Sequence, residues 1–310
     1  MTRIPLVDVV MPHNAFAQQA LAPRGRQLRI LLSYHYFGRE DLDALLAKHF
    51  TEPYPEIFLD SGAFSAKTQG VTINIQDYIA FIKRNQHRLT TYSVLDVIGN
   101  AAATRENQAR MEDAGLAPLP CWHAGETWDD LEFYVERYPY IAIGGMVPYL
   151  RFPKKLIPWL VRAFQIAKGR SVFHGFGATS WRIASMVPWY SVDSSTWASG
   201  VRYGLVNVFD YRAGKFHTLR LGNAQDWATH GKLVRQLGFD PQDFADRSRN
   251  ERETICGLCA VSFMEAERWL QARHGHIVMP QREPGLRLYL ANPQMKDYTL
   301  AQQAMRKAGR

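Results

Sequence analysis

The stretch LAPLPCWHAGETWDDLEFYVERYPYIAIGG, residues 116–145, decides how the rest of the chain is read. It holds an apolar run at Leu116–Trp122, a helical pattern at Trp128–Arg137 and a second apolar run at Tyr140–Ile143. Run, helix, run is the pattern of a βαβ unit, in which a crossover helix links two parallel strands. The same alternation extends in both directions. Upstream lie Arg29–Ser33 before the helix-like Asp41–His49, Ile57–Leu59 before Ile75–Arg88, and Tyr92–Leu95 before Ala101–Ala114. Downstream, Lys154–Lys168 is followed by Ser171–His174, then Thr179–Met186 with Thr179 placed as its N-cap, then Tyr190–Val192.

These are seven strand candidates in about 165 residues, and Leu205–Phe209 supplies an eighth. Eight parallel strands with crossover helices predict an α/β fold, an irregular (β/α)8 TIM-type barrel. An open doubly wound sheet is the alternative, but no G-x-G-x-x-G opens a helix after the first strand. Beyond about residue 200 the pattern changes. Residues 203–221 predict a β-hairpin around Ala213-Gly214, and 226–274 read as helical. The expected organisation is an N-terminal extension at 1–28, a barrel core at 29–222 and a small helical appendage at 223–310.

Composition limits the function classes. Of 310 residues 46% are hydrophobic and 21% charged, which excludes disordered and collagen-like chains. No run of about 18 apolar residues predicts a membrane span. The first residues, MTRIPLVDVVMPHNAF, lack an unbroken apolar segment of the signal-peptide kind. Three cysteines are too few for a disulfide framework, so a cytoplasmic setting is expected. Lys and Arg exceed Asp and Glu by 37 − 29 = 8, a balance that suits a polyanion. The excess is scattered, so a polyanion site must be assembled by folding.

In a barrel the active site lies at the C-terminal strand ends. Reading the residues just past each run gives Ser33-Tyr34-His35, Asp60-Ser61-Gly62, Asp96, Trp122-His123, Gly144-Gly145, His174-Gly175-Phe176-Gly177 and Asp193-Ser194-Ser195. An aspartate after a strand is often a helix cap, a glycine a turn former, and a histidine a bonded core residue. Three carboxylates (Asp60, Asp96, Asp193) and three histidines (His35, His123, His174) arriving at one face point instead to a site. Paired carboxylates across a barrel mouth suit glycosidic chemistry, one attacking the anomeric carbon and one protonating the leaving group.

At these residues the chain resembles the tRNA-guanine transglycosylase superfamily. LLSYHYF (31–37), LDSGAF (59–64), the Asp of SVLDVI (93–98), IAIGGM (141–146), HGFG (174–177) and YSVDSSTW (190–197) follow the family's segments in order, over roughly residues 28–200. The resemblance implies that Asp193 is the nucleophile at C1′ and that Asp60 is the general acid/base. It implies that Asp96 takes the N1–H and 2-amino donors of guanine and that the backbone of Gly144 and Gly145 holds the base carbonyl. Phe64 would stack on the base, and Ser61 and His123 join the base-binding set.

The departures from the family select a branch. Ala63 replaces a glycine, and His123 stands where the tRNA enzymes carry glutamine. Ser-Ser-Thr-Trp-Ala-Ser-Gly follows Asp193 in place of the family's Arg-Asn-rich segment near the nucleic acid. The family's zinc motif is reduced to Cys256-Gly-Leu-Cys259, with His274 or His276 as the remaining candidate ligands for a structural zinc. Together these resemble the phage and bacterial DNA-acting branch, which exchanges guanine in DNA for a 7-deazaguanine such as preQ0. The implied partners are DNA, with its target base flipped out, and a free 7-deazaguanine base. The chemistry itself needs no cofactor, and phage coding would place it in the host cytoplasm. A tRNA substrate, a barrel glycoside hydrolase, a non-catalytic nucleic-acid-binding subunit and a homodimer stay open at this point.

Overall fold

The computed structural model describes residues 27–167, 169–178, 180–274 and 287–307. Eight strands form one parallel sheet. In chain order seven of them are β1 (Arg29–Ser33), β2 (Glu56–Asp60), β3 (Leu89–Tyr92), β4 (Cys121–His123), β5 (Tyr140–Gly144), β6 (Val172–Gly175) and β7 (Ser191–Ser194). Next come β8 (Leu205–Asp210) and β9 (Lys215–Arg220), which among the described residues pair only with each other, as the antiparallel hairpin expected at 203–221. The eighth strand of the sheet is β10 (Arg287–Ala291).

The sheet order is β3-β2-β1-β10-β7-β6-β5-β4. Its two outer strands meet through a single parallel bridge, Ser93 with Leu119. There Val94 N–H donates to the Leu119 carbonyl at 2.9 Å, and Leu119 N–H to the Tyr92 carbonyl at 2.8 Å. The result is an irregular, curled parallel sheet with flanking helices, a TIM-barrel-like α/β fold.

This corrects the expectation for the eighth strand. Leu205–Phe209 has strand character, but its partner is β9, and the barrel position is taken by Arg287–Ala291 from the segment expected to be helical. The helix Arg252–His274 intervenes and covers the hairpin, where Ser262 Oγ accepts the Phe209 N–H at 3.2 Å.

Local sequence explains why the crossover helices start where they do. The helix Trp128–Arg137 coincides with its predicted span. Thr127 and Asp130 form a reciprocal capping box there, satisfying two of the N–H groups that a helix start leaves unpaired. The helix expected at Thr179–Met186 begins at Trp181 instead, and Thr179 lies outside the described residues.

Side chains of β2 alternate, so Glu56, Phe58 and Asp60 share the inward face. Phe58 fills the middle of the sheet's concave side, its ring 4.6 Å from that of His174 and 5.4 Å from that of Tyr289. Glu56 lies below this aromatic layer and Asp60 above it.

Candidate functional site

Asp60 ends β2, and Gly62 N–H donates to its Oδ2 at 3.0 Å. Gly62 has φ +77°, and a side chain there would collide with His35, so this turn is open only to glycine. Burial, then the nearby charges of Asp96 and Asp193, push the Asp60 carboxyl up to about 8. It therefore holds its proton at neutral pH.

Asp193 sits on β7, is 7% exposed and accepts the Gly177 N–H on Oδ1 at 2.7 Å. Beneath it a polar chain runs through the sheet. Tyr140 OH lies 2.5 Å from Ser191 Oγ, which lies 2.6 Å from His174 Nδ1. His174 Nε2 lies 3.5 Å from Asp193 Oδ1 without hydrogen-bond alignment. Burial lowers the His174 pKa against the pull of Asp193, so the ring under the carboxylate is neutral.

Asp96 is held on both oxygens. Ser61 Oγ donates to Oδ1 at 2.9 Å, and His123 Nε2 meets Oδ2 at 2.9 Å. His123 Nδ1 in turn meets Glu126 Oε1 at 3.1 Å, and the His123 backbone N–H donates to Glu126 Oε2 at 3.1 Å. Cys121 Sγ stands 3.6 Å from His123 Nε2. Burial opposes a charged His123, but Cys121, Asp96 and Glu126 outweigh it and raise its pKa.

The strand-end residues thus divide into groups. Asp60, Asp96 and Asp193 come close enough for two of them to shift the third. His123 joins them. His35 lies at the rim, its Nε2 3.1 Å from Gln69 Oε1. Ser61 is fully buried, its hydroxyl donated to Asp96. Phe64 is 59% exposed on the short helix Ala63–Thr68. Gly144 lies directly against the cluster: a Cβ there would sit 2.8 Å from His123 Cδ2 and 3.0 Å from Cys121 Sγ. Gly145 has φ +68°, again a left-handed position.

Cys121 and Glu126 were not among the expected site residues. Cys121 is the first residue of β4, which a reading of the C-terminal strand ends passes over. Its spacing of two from His123, which puts both on one face, was the available signal. Asp96, Cys121 and His123 offer ligand atoms all within 4.8 Å of one another, and among the described residues this is the only such group of three that could hold a metal.

The Cys256–Cys259 pair does not fit the expected zinc. Both thiols are fully buried on the helix Arg252–His274. Burial is the first cause that raises both, and it pushes Cys259 to about 12. The nearby carboxylate, Asp297, is occupied by Arg252 at 2.7 Å and Asn292 at 2.9 Å. His274 ends the same helix 15 residues after Cys259, about 22 Å along its axis, too far to share an ion. His276 lies outside the described residues.

No protein-family model, no curated protein and no solved structure matches this chain. Among the described residues no helix is long and apolar enough to cross a membrane.

Proposed function

We propose that the chain is a base-exchanging pentosyltransferase that replaces guanine in DNA by a 7-deazaguanine base. The observation that carries this reading is the meeting of Asp60, whose carboxyl burial and neighbouring carboxylates push up to about 8, with Asp193, which the Gly177 N–H holds at the same end of the sheet. Glycosidic exchange needs one acid and one nucleophile, and an enzyme separates two carboxyl groups into those roles by environment.

In this reading Asp193 attacks C1′ of the flipped nucleotide. A C1′–O ester bond forms and the C1′–N bond to guanine breaks, while the Asp60 proton passes to the departing base. The incoming base returns a proton to Asp60, and its ring nitrogen displaces Asp193. Two displacements retain configuration and consume no nucleotide triphosphate. Asp96, with one bond on each oxygen, keeps a free lone pair on each for two adjacent donors of guanine.

The rim supports a nucleic-acid substrate. Tyr36, Phe64, Tyr149 and Phe152 are exposed in the segments that follow β1, β2 and β5. The Arg151 guanidinium lies 4.9 Å over the Phe152 ring. Exposed aromatic faces beside basic groups stack bases and attract phosphates. The net charge of +8 acts in the same direction.

The test is incorporation of labelled guanine and of preQ0 into duplex DNA, with unmodified tRNA in parallel. The expected result is label in DNA, reduced on the order of 10⁴-fold or more by Asp193→Asn. Label in tRNA alone would move the substrate to RNA. Label in neither, from a folded chain, would sink the exchange reading and leave a non-catalytic binding subunit.

A further inference from the structure

We propose that Asp96, Cys121 and His123 form a divalent-metal site suited to zinc, with Glu126 as the carboxylate that orients the histidine. Strand periodicity brings Cys121 and His123 to one face of β4, and Asp96 arrives from the loop after β3. The Cys121 Sγ to His123 Nε2 distance is 3.6 Å. Zinc bonds of the usual lengths at a tetrahedral angle give an S···N edge of about 3.6 Å. The His123 Nε2 to Asp96 Oδ2 edge, 2.9 Å, would have to open by about 0.4 Å.

The hydrogen-bond pattern around His123 calls for a cation. Both ring nitrogens face carboxylates, Nδ1 at 3.1 Å from Glu126 and Nε2 at 2.9 Å from Asp96. When Nδ1 carries its proton toward Glu126, Nε2 presents a lone pair to a carboxylate oxygen. Either a second proton or a metal ion must lie between them. The donor set favours the metal. A thiolate, a carboxylate and a neutral imidazole balance a doubly charged ion, and thiolate with imidazole selects zinc over magnesium or calcium. An imidazole bonded through its other nitrogen to a carboxylate is the usual arrangement behind a metal-bound histidine.

The surroundings preorganise the three ligands. Cys121 and His123 are 1% and 4% exposed. The missing side chain of Gly144 leaves the space that His123 and Cys121 fill. Three protein ligands leave a fourth position for water or for a nitrogen or oxygen of a bound molecule.

This site does not rest on the exchange reading, although the two share Asp96. A metal on Oδ2 would leave only Oδ1 for a base, so loaded and stripped protein would bind guanine differently.

The experiment is titration of the chelator-stripped full chain with Co²⁺ alone, read by absorption. The expected result is one equivalent bound per chain, with a thiolate-to-cobalt charge-transfer band that Zn²⁺ bleaches. Cys121→Ala should abolish the band, and Glu126→Gln should weaken binding about 10- to 100-fold. Cys256→Ser and Cys259→Ser should leave the band intact. Should Cys121→Ala fail to fold, Asp96→Asn reads the same site without touching the thiol and should lose the tight equivalent. Absence of the band in the folded chain overturns the proposal. So does its persistence in Cys121→Ala. Two N–H protons on the His123 ring in excess Zn²⁺, seen by NMR, would also overturn it, because a proton would then occupy the gap. Base exchange is scored separately in the same samples, so loss of one reading leaves the other standing.

Discussion

Glu56 and Asp60 are the first and last residues of one five-residue strand, and the fold treats them in opposite ways. Burial opposes a charged Glu56, yet Arg287 and Arg29 outweigh it and lower its pKa. Arg29 Nε reaches Glu56 Oε2 at 2.9 Å, Arg287 Nη1 reaches Oε1 at 3.2 Å, and Tyr289 OH donates to Oε1 at 2.7 Å. Some 13 Å further along, Asp60 lies half-buried beside two more carboxylates, and its pKa is pushed up to about 8. Among the described residues no lysine or arginine pairs with Asp60, Asp96 or Asp193. One end of the sheet has every charge matched. The other concentrates like charges that cost stability and gain a protonated acid. Such an imbalance is the pattern that functional sites tend to show, and it supports the proposed reading.

The largest effect should come from breaking the matched end. Glu56→Ala leaves two arginines and a tyrosine hydroxyl without their shared acceptor. Removing one partner of a buried ion pair costs about 3–5 kcal/mol. The lower end applies here, since the arginine side chains keep 23% and 21% of their surface in water. Urea unfolding at neutral pH should show this loss. The contribution of Glu56 is present above its ordinary pKa and is lost as pH falls through the lowered value. The variant should therefore converge on the parent at low pH. An equal gap at low and neutral pH would show that packing, not charge pairing, holds this end.

Asp60 should give the opposite slope. Between its ordinary value of 3.8 and about 8 the folded chain holds a proton that the unfolded chain has lost. Stability should therefore fall as pH rises through that window and level off above it. Asp60→Asn should flatten this part of the curve, melting higher than the parent at pH 9 while exchange drops about 10²- to 10⁴-fold. In the parent, exchange should decline on the alkaline side near pH 8 as the acid is lost. The same stability slope in parent and variant would assign it to another group.

The contrast between the two ends also explains what the sequence made legible. A parallel sheet sends every C-terminal strand end to one face, so reading the residue after each run found Asp60, Asp96, His123 and Asp193 together. The same procedure ignores the first residues of strands, so Arg29, Glu56 and Arg287 were not read as a group. Cys121 is likewise the first residue of its strand, and Glu126 lies in a loop whose role depends on where His123 points. The eighth strand failed for a different reason. Leu205–Phe209 and Arg287–Ala291 are both locally competent strands, and only the closing of the curled sheet decides which of them lies between β7 and β1. The Cys256–Cys259 spacing suggested a metal, but three residues on a helix equally place two small apolar side chains on one buried face.

The smallest expected effect tests how loosely the like-charged end is held. Ser61 is fully buried, and its hydroxyl gives Asp96 Oδ1 a hydrogen bond of 2.9 Å. Below the aromatic layer Glu56 has three donors, whereas among the described residues Asp96 has this bond and the one from His123. Ser61→Ala removes one small atom and should cost about 1–2 kcal/mol of stability. Its effect on exchange should lie in KM, raised about tenfold with kcat nearly unchanged, because in the proposed reaction Asp96 orients the base and takes no part in bond making. A matching loss in kcat would mean that freeing Asp96 also disturbs Asp60, through the charge that helps keep its proton in place. An unchanged KM would mean that the His123–Glu126 arm alone is enough to fix Asp96.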